Sequence, residues 1–348
     1  MKKSPGKGLR MVDIARRAGV STATVSRVLS DGAENVRPET RKKVMQAVEE
    51  TGYVPNRLAR NLRERSARIF ALVISDIGNP FFTAIVRGCE DAARDKGYSV
   101  IIANTDEVAE LESQRLLDMV AEGVSGVVLA STGETSQGLS QLVRSRIPVV
   151  ALDRTIAGEK LDVVTTDGKT AAADAASHLI ALGHRRIALI GGPGEVSTMA
   201  ERRAGYEAAL GEGGIDIDPA LMRFGDLREG SGQLAMTELL GLSQPPTAIL
   251  VTSNLMGIGA LKTVAAAGLT VPRDLSIICF DDVIGGELIG PGIAAVMQPT
   301  YEMGLTSVEL LLRRIAKPDA SVRKLVLPTE LVARGSIGLP PGSIAAAG

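Results

Sequence analysis

Cysteine, histidine and long apolar runs are all scarce in this 348-residue chain. Its two cysteines, Cys89 and Cys279, stand far apart and support neither a disulfide framework nor a metal cluster. The two histidines, His178 and His184, lie six residues apart with no third ligand nearby, so no metal site and no cofactor are expected. His184, in the run Leu-Gly-His, is read as closing a helix C-terminus, where its charge is favoured. No apolar stretch approaches the roughly 20 residues of a membrane span. Met11 to Leu29 alternates charged and small residues instead of building a signal peptide's apolar core, and the expected location is the cytoplasm. The run Gly191-Gly-Pro-Gly194 lacks the G-x-G-x-x-G spacing of a dinucleotide loop and reads as a turn. No base falls in a stretch that could serve a nucleophilic triad, so no enzyme is expected. The tail, Leu339 to Gly348, has no heptad pattern.

What is present is ample apolar content, 45%, in a length that suits two or three domains. The net charge of −1 conceals a strong asymmetry. Residues 1–68 hold 16 Lys and Arg against 7 Asp and Glu, a formal +9, while the remainder holds 23 against 33, a formal −10. A basic segment of that size is an electrostatic footprint for a polyanion. No large apolar helix face accompanies it, so nucleic acid is favoured over a membrane surface.

Within the basic segment, Asp13 to Arg27 reads as two short helices joined by a tight turn at Gly19, with Ser21 as N-cap of the second. At 100° per residue, Thr24, Val25, Val28 and Leu29 fall on one arc, ready to pack on Ile14 and Ala18. Thr22, Ala23, Ser26 and Arg27 fall on the other. That face is small and polar and carries one arginine, which suits a DNA major groove, where Arg27 can donate a bidentate pair to a guanine edge. A third helix starts at Pro38, buries Val44, Ala47 and Val48, and stops at Gly52. The next piece, Asn56 to Arg63, has only Leu58, Ala59 and Leu62 as apolar content, too little for an isolated helix. It is expected to order on pairing, with Leu62, between Arg60 and Arg63, as a minor-groove wedge.

From Ile69 the pattern changes to strand-like runs alternating with amphipathic helices. The strands are Phe70–Ser75, Val100–Asn104, Gly126–Ser131, Val149–Asp153, Ile187–Gly191, Ala248–Ser253 and Ser276–Asp281. Helices are expected over Phe82–Lys96, Glu107–Ala121, Thr170–Leu182, Met199–Leu210 and Met256–Ala267. Repeated βα units with apolar strands imply doubly wound parallel sheets in two lobes. Nearly every strand exits onto a small or polar residue, and ligands of such sheets sit outside the strand carboxyl ends. Two lobes facing each other there enclose a polar cleft, although helix caps and turns account for some of the same residues.

Together these features resemble the LacI/GalR family of bacterial transcription repressors. The matching stretches are collinear: Val12-Asp-Ile-Ala, Gly19 to Arg27, Gly52-Tyr-Val-Pro-Asn56, Ala59-Arg-Asn-Leu62, Asn79-Pro-Phe-Phe82, Leu152-Asp-Arg154, Leu182 to Ile187, Gly205-Tyr206, Phe280-Asp-Asp282 and Arg334-Gly-Ser336. The resemblance implies an all-α helix-turn-helix headpiece over 1–55, a hinge helix over 56–66 and a two-lobed, periplasmic-binding-protein-like effector and dimerisation domain over 67–340. Its N-lobe is expected at about 67–167 plus 299–327 and its C-lobe at about 168–298 plus 328–340, before a tail, 341–348. The implied function is a DNA-binding regulator, as a repressor, bound as a homodimer to a pseudo-palindromic operator in the nucleoid and controlled by a sugar-like effector. The expected DNA contacts are Ser21, Thr22, Ala23, Thr24, Ser26, Arg27, Asn56, Leu62 and Arg63. The expected effector contacts are Phe81, Phe82, Asp153, Arg202, Ser253 and Asp281, with Arg154 added because it follows the cleft aspartate directly. Departures from the family pattern are Ser253-Asn254 in place of Asn-Asp, Leu227 where an aromatic often covers the ligand, and Pro291-Gly-Ile-Ala294 in place of Pro-x-Leu-Thr.

The competing reading is a solute-binding protein of a sugar uptake system, which shares the lobes but needs export and has no use for a basic headpiece. Within the cleft, Arg154 and Arg202 together suggest an anionic effector, a sugar acid or sugar phosphate. The alternative is that one arginine pairs with Asp153 or Asp281 and organises the cleft.

Overall fold

The computed structural model describes residues 9–29, 36–53, 68–133, 136–283, 285–288 and 290–342. The chain divides into two units, Met1–Ala67 and Arg68–Gly348.

In the first unit, α1 (Met11–Ala18) and α2 (Thr22–Val28) are joined through Gly19, whose φ of 66° closes the first helix. That left-handed turn suits glycine, which has no Cβ to clash. Ser21 caps α2, its Oγ accepting from the Thr24 amide at 3.1 Å. The third helix, α3 (Pro38–Thr51), ends at Gly52. Ile14, Ala15, Val25, Val28, Val44, Ala47 and Tyr53 form a small shared core. Burying one such valine contributes about 1.5–3 kcal/mol, so seven residues suffice for a headpiece but leave little margin. Arg17 pairs with Glu50 across the surface of this bundle at 2.7 Å. The hinge piece, with Asn56, Leu62 and Arg63, lies outside the described residues.

The second unit holds two six-stranded sheets. The first contains β1 (Ile69–Ile74), β2 (Ser99–Asn104), β3 (Gly126–Leu129), β4 (Val149–Leu152), β5 (Asp162–Thr166) and β11 (Lys324–Leu327), in the order β11-β5-β4-β3-β1-β2, all parallel. The second contains β6 (Ile187–Gly191), β7 (Met222–Phe224), β8 (Ala248–Val251), β9 (Ser276–Phe280), β10 (Ala294–Met297) and β12 (Glu330–Val332), in the order β12-β10-β9-β8-β6-β7. Here β12 runs antiparallel to β10, and the other pairings are parallel. The chain therefore passes from the first lobe to the second after β5, returns before β11 and leaves again before β12.

Helices cover both faces of each sheet, as the apolar central strands require. They are α4 (Pro80–Asp95), α5 (Ala109–Glu122), α6 (Gln137–Arg144) and α11 (Thr300–Ala316) in the first lobe. In the second lobe they are α7 (Gly168–Ala181), α8 (Ser197–Glu212), α9 (Glu229–Leu240) and α10 (Asn254–Ala266). Neighbouring helices come unusually close: a Cβ on Gly205 of α8 would stand 2.0 Å from the Lys169 carbonyl, and one on Gly232 of α9 2.1 Å from that of Met256. Four apolar clusters fill the spaces between sheets and helices.

His184 is placed differently from the expectation. It is wholly buried rather than a charged cap: Nε2 lies 3.0 Å from the Gly338 carbonyl and Nδ1 2.9 Å from Thr247 Oγ1. Burial pushes its pKa below the ordinary value, so the neutral ring is the one that fits. A helix end covered by later strands offers no solvent for the charge that the local sequence favours.

Candidate functional site

Two separate regions carry the candidate residues. The first is the outer face of α2, where Thr22, Ala23 and Arg27 are exposed, Ser26 is half-buried and Val25 and Val28 point into the core. Ser21 and Thr24 are engaged with each other, their hydroxyls 2.9 Å apart, in holding the start of the helix. The face is thus a short polar strip ending in one guanidinium, on a helix that Val25 and Val28 anchor from behind.

The second is the cleft between the lobes of the second unit. Phe81, Phe82, Asp153, Arg154, Arg202, Ser253 and Asp281 all line it, and it is partly open to solvent. Their positions follow from the topology. Asp153 follows β4 and Asp281 follows β9, and both take left-handed backbone angles, φ 65° and 59°. The amide of each then bonds to the next strand, Asp153 to the Val164 carbonyl at 2.8 Å and Asp281 to that of Val296 at 2.9 Å. The two lobes thus offer the same aspartate at the same place. Such angles cost a residue with a Cβ about 1 kcal/mol or more, least for Asp and Asn. Ser253 precedes α10, and Phe81 and Phe82 stand in the first turn of α4, which Asn79 caps by accepting from the Phe81 amide at 3.0 Å. The two rings meet edge to face with centroids 5.0 Å apart.

The charges in the cleft are interlocked. Arg154 donates Nη1 and Nη2 to the two carboxylate oxygens of Glu107, each at 2.7 Å, and Nη1 also to the Ser131 carbonyl at 3.0 Å. Its Nε lies 3.6 Å from Asp153. Burial alone would lower the Arg154 pKa, but Glu107 outweighs it and the group is held above its ordinary value. Arg202 has no such carboxylate clamp: it donates to the Thr252 carbonyl at 2.7 Å and lies 4.2 Å over the Phe280 ring. Burial depresses its pKa, with Asp281 and Asp153 opposing that loss. Asp153 and Asp281 are both pushed upward by burial, Asp281 to about 6, against the pull of the nearby arginines. Gln298 donates to Asp281 at 2.9 Å and accepts from Thr166 at 2.6 Å, tying the crossover into the cleft floor.

Several lining residues escaped the sequence reading. Glu107 lies on a loop where it and Asp106 both have positive φ, 59° and 53°, an arrangement that no local pattern announces. Thr198 stands one turn before Arg202 on α8, a spacing of four that was readable once Arg202 was chosen. Asn254 donates to Asn79 at 2.9 Å and Arg228 to the Asp106 carbonyl at 2.9 Å, so both span the lobes. Leu227 lines the cleft at the position where the family pattern often has an aromatic, packed against Gly192 so closely that a Cβ on Gly192 would approach it to 2.5 Å. Other strand-end residues are structural: Asn104 accepts from the Ile77 amide, and Ser131 donates to Glu112.

Comparison with known proteins accounts for both regions. A family model described as bacterial regulatory proteins of the lacI family matches residues 10–56, and one described as periplasmic binding proteins and sugar binding domain of the LacI family matches residues 67–335. Catabolite control protein A of Priestia megaterium is 35% identical over 325 residues, 93% of this chain and 98% of that protein. The structure of the transcriptional regulator CelR in complex with cellobiose is similar with a TM-score of 0.72 at 34% identity, over 94% of this chain and 100% of that one. The lac repressor dimer bound to operator and the anti-inducer ONPF is similar with a TM-score of 0.84 at 28% identity, over 95% and 99%. No helix among the described residues is long and apolar enough to cross a membrane. With both of the family's modules present and in order, this chain belongs to the LacI family of bacterial regulatory proteins and is a DNA-binding transcriptional regulator.

Proposed function

We propose that the chain represses transcription as a homodimer on a two-fold symmetric operator, and that a small polyhydroxylated effector in the inter-lobe cleft sets its affinity for DNA. Thr22, Ala23 and Arg27 read base edges, Ser21, Thr24 and Ser26 position α2 against the backbone, and Asn56, Leu62 and Arg63 contact the operator centre. Phe81, Phe82, Asp153, Arg202, Ser253 and Asp281 hold the effector, while Arg154 sets the position of Asp153.

One observation carries the cleft assignment. Among the described residues, four of the seven buried side-chain atoms without a hydrogen-bond partner belong to residues lining it, Asp153 Oδ1, Arg154 Nε, Thr198 Oγ1 and Arg202 Nε, while Thr132 Oγ1, Arg186 Nε and Arg313 Nη1 are scattered elsewhere. A buried polar atom left unpaired costs about 1–3 kcal/mol, so a group of four in one cleft marks where a bound molecule supplies the partners. The set mixes acceptor and donors, and a hydroxyl can serve both kinds at once. The cellobiose-bound relative and the operator-bound relative support the two halves of the reading. The headpiece and the cleft work within one regulator, which the solute-binding alternative leaves unexplained.

The test is selection of bound sequences from a random duplex library by the full-length protein, followed by anisotropy titration with and without sugars. A two-fold symmetric motif whose binding a sugar weakens or strengthens supports the proposal. Recovery of no enriched motif, or of one indifferent to every cleft ligand, overturns it.

A further inference from the structure

We propose that the cleft selects an uncharged polyhydroxy molecule over its carboxylate- or phosphate-bearing counterparts, because Arg154 is already clamped by Glu107, carboxylates outnumber guanidiniums in the lining, and a buried aspartate oxygen still lacks a donor. This rests on the effector reading above and specifies the ligand's charge.

The arginines decide the matter. Three line the cleft, and Arg154 is clamped on both Nη atoms by Glu107. Its remaining nitrogen faces Asp153 at 3.6 Å. Arg228 is exposed at the rim and donates to the Asp106 carbonyl, so water screens what charge it presents. Among the described residues that line the cleft, Arg202 is the one guanidinium that is buried and has an unpartnered nitrogen without a carboxylate clamp. The charges of Asp281 and Asp153 both act on it, and they oppose that of any anion seated there.

The remaining lining charges act in the same direction. Asp76 and Asp226 join Glu107, Asp153 and Asp281, so among the described residues five carboxylates and three guanidiniums line the cleft, a formal −2. An anion entering this space meets a surplus of its own sign in a partly desolvated site, where charge interactions are strong. A carboxylate or fully ionised phosphate group seated beside Asp153 Oδ1 offers only acceptors and leaves the donor to a hydroxyl elsewhere on the molecule. A hydroxyl can donate to Asp153 and accept from Arg202 Nε or Thr198 Oγ1, filling the unpaired atoms with no net charge added.

Calorimetry on the full-length protein with matched probes tests this. D-ribose, D-glucose, cellobiose and uridine are each titrated against their phosphates and, for the sugars, their aldonic acids. In every set that shows binding, the neutral parent is expected to bind at least tenfold more tightly than its anions. Glu107→Gln, which releases Arg154, should narrow that ratio at least fivefold, and Asp153→Asn should narrow it by removing a like charge. An anion that binds as tightly as its neutral parent to the wild-type protein overturns the charge selection and leaves the effector cleft standing. Silence from all probes, neutral and anionic, overturns the effector reading itself and this inference with it.

Discussion

Arg154 and Glu107 face each other through two parallel hydrogen bonds of 2.7 Å, although 47 residues separate them in sequence. The pair joins the loop after β2 to the loop after β4, and Arg154 Nε lies 3.6 Å from the aspartate beside it. Arg154 is buried and Glu107 half-buried, so removing Glu107 leaves a buried charge short of its partner, which costs more than the pair is worth in place. Glu107→Gln is therefore expected to destabilise the second unit by about 3 kcal/mol, with Arg154→Met milder because it removes the buried charge instead of stranding it. Denaturant unfolding of the three proteins checks the order, and equal losses would show the pair to be no more than packing.

Much of the cleft was readable because its aspartates and serine end apolar strands. Asp153, Ser253 and Asp281 follow β4, β8 and β9, and the rule that ligands gather at strand carboxyl ends finds them without knowledge of the fold. Glu107 was not readable, since its place depends on two consecutive left-handed residues and on a contact far along the chain. Gln298 was hidden for a similar reason, lying in a crossover between lobes. The strands β5, β7, β10, β11 and β12 went unread: they are three to five residues long, and β11 and β12 lie half-exposed at sheet edges, where apolar content falls. Helix α9 begins Glu-Gly-Ser-Gly, a run that reads as a loop. Gly232 is there because α10 passes too close for any side chain, a packing fact invisible to helix propensity. The pairing of Arg154 with Glu107 also alters the expectation of two arginines shared by an anion, since one of them is already engaged.

Arg27 lies at the exposed end of the outer face of α2, away from the Val25 and Val28 anchors. Arg27→Ala is expected to cost about 1–3 kcal/mol of discrimination at one base pair of each half-site while leaving the melting temperature within a degree or so. Competition anisotropy with the selected site and with scrambled duplex measures it. An unchanged specificity ratio would remove Arg27 from the base readers.

His184 gives the second unit a pH-dependent stability. Its folded pKa lies below the ordinary 6.5 because burial penalises the charged ring. The neutral ring's contribution is fully present above pH 6.5 and is lost as pH falls from there through the lowered folded value, because only the unfolded chain takes up the proton in that window. The melting temperature should fall on acidification across this window, and His184→Gln should flatten that component. Identical pH profiles for the two proteins would show that the Thr247 and Gly338 contacts tolerate the charged ring.

Asp281 acts with the opposite sign. Burial raises its pKa from 3.8 to about 6, so between those values the folded protein holds a proton that the unfolded chain has released. That contribution favours the folded state at low pH and is lost as pH rises through about 6. A ligand hydroxyl donating to this carboxylate, as the proposed effector does, needs the ionised form, in which Gln298 already supplies one donor. Binding should therefore be strongest above pH 7 and weaken below about 6, approaching tenfold per pH unit, with about half a proton released on binding at pH 6. Titration calorimetry in buffers of different ionisation enthalpy reads that proton directly. Asp281→Asn should bind more weakly at pH 8 and show neither the proton release nor the fall, which separates this group from His184, whose ring lies outside the cleft. A wild-type affinity that stays level from pH 8 to pH 5 would mean that the effector does not draw on Asp281.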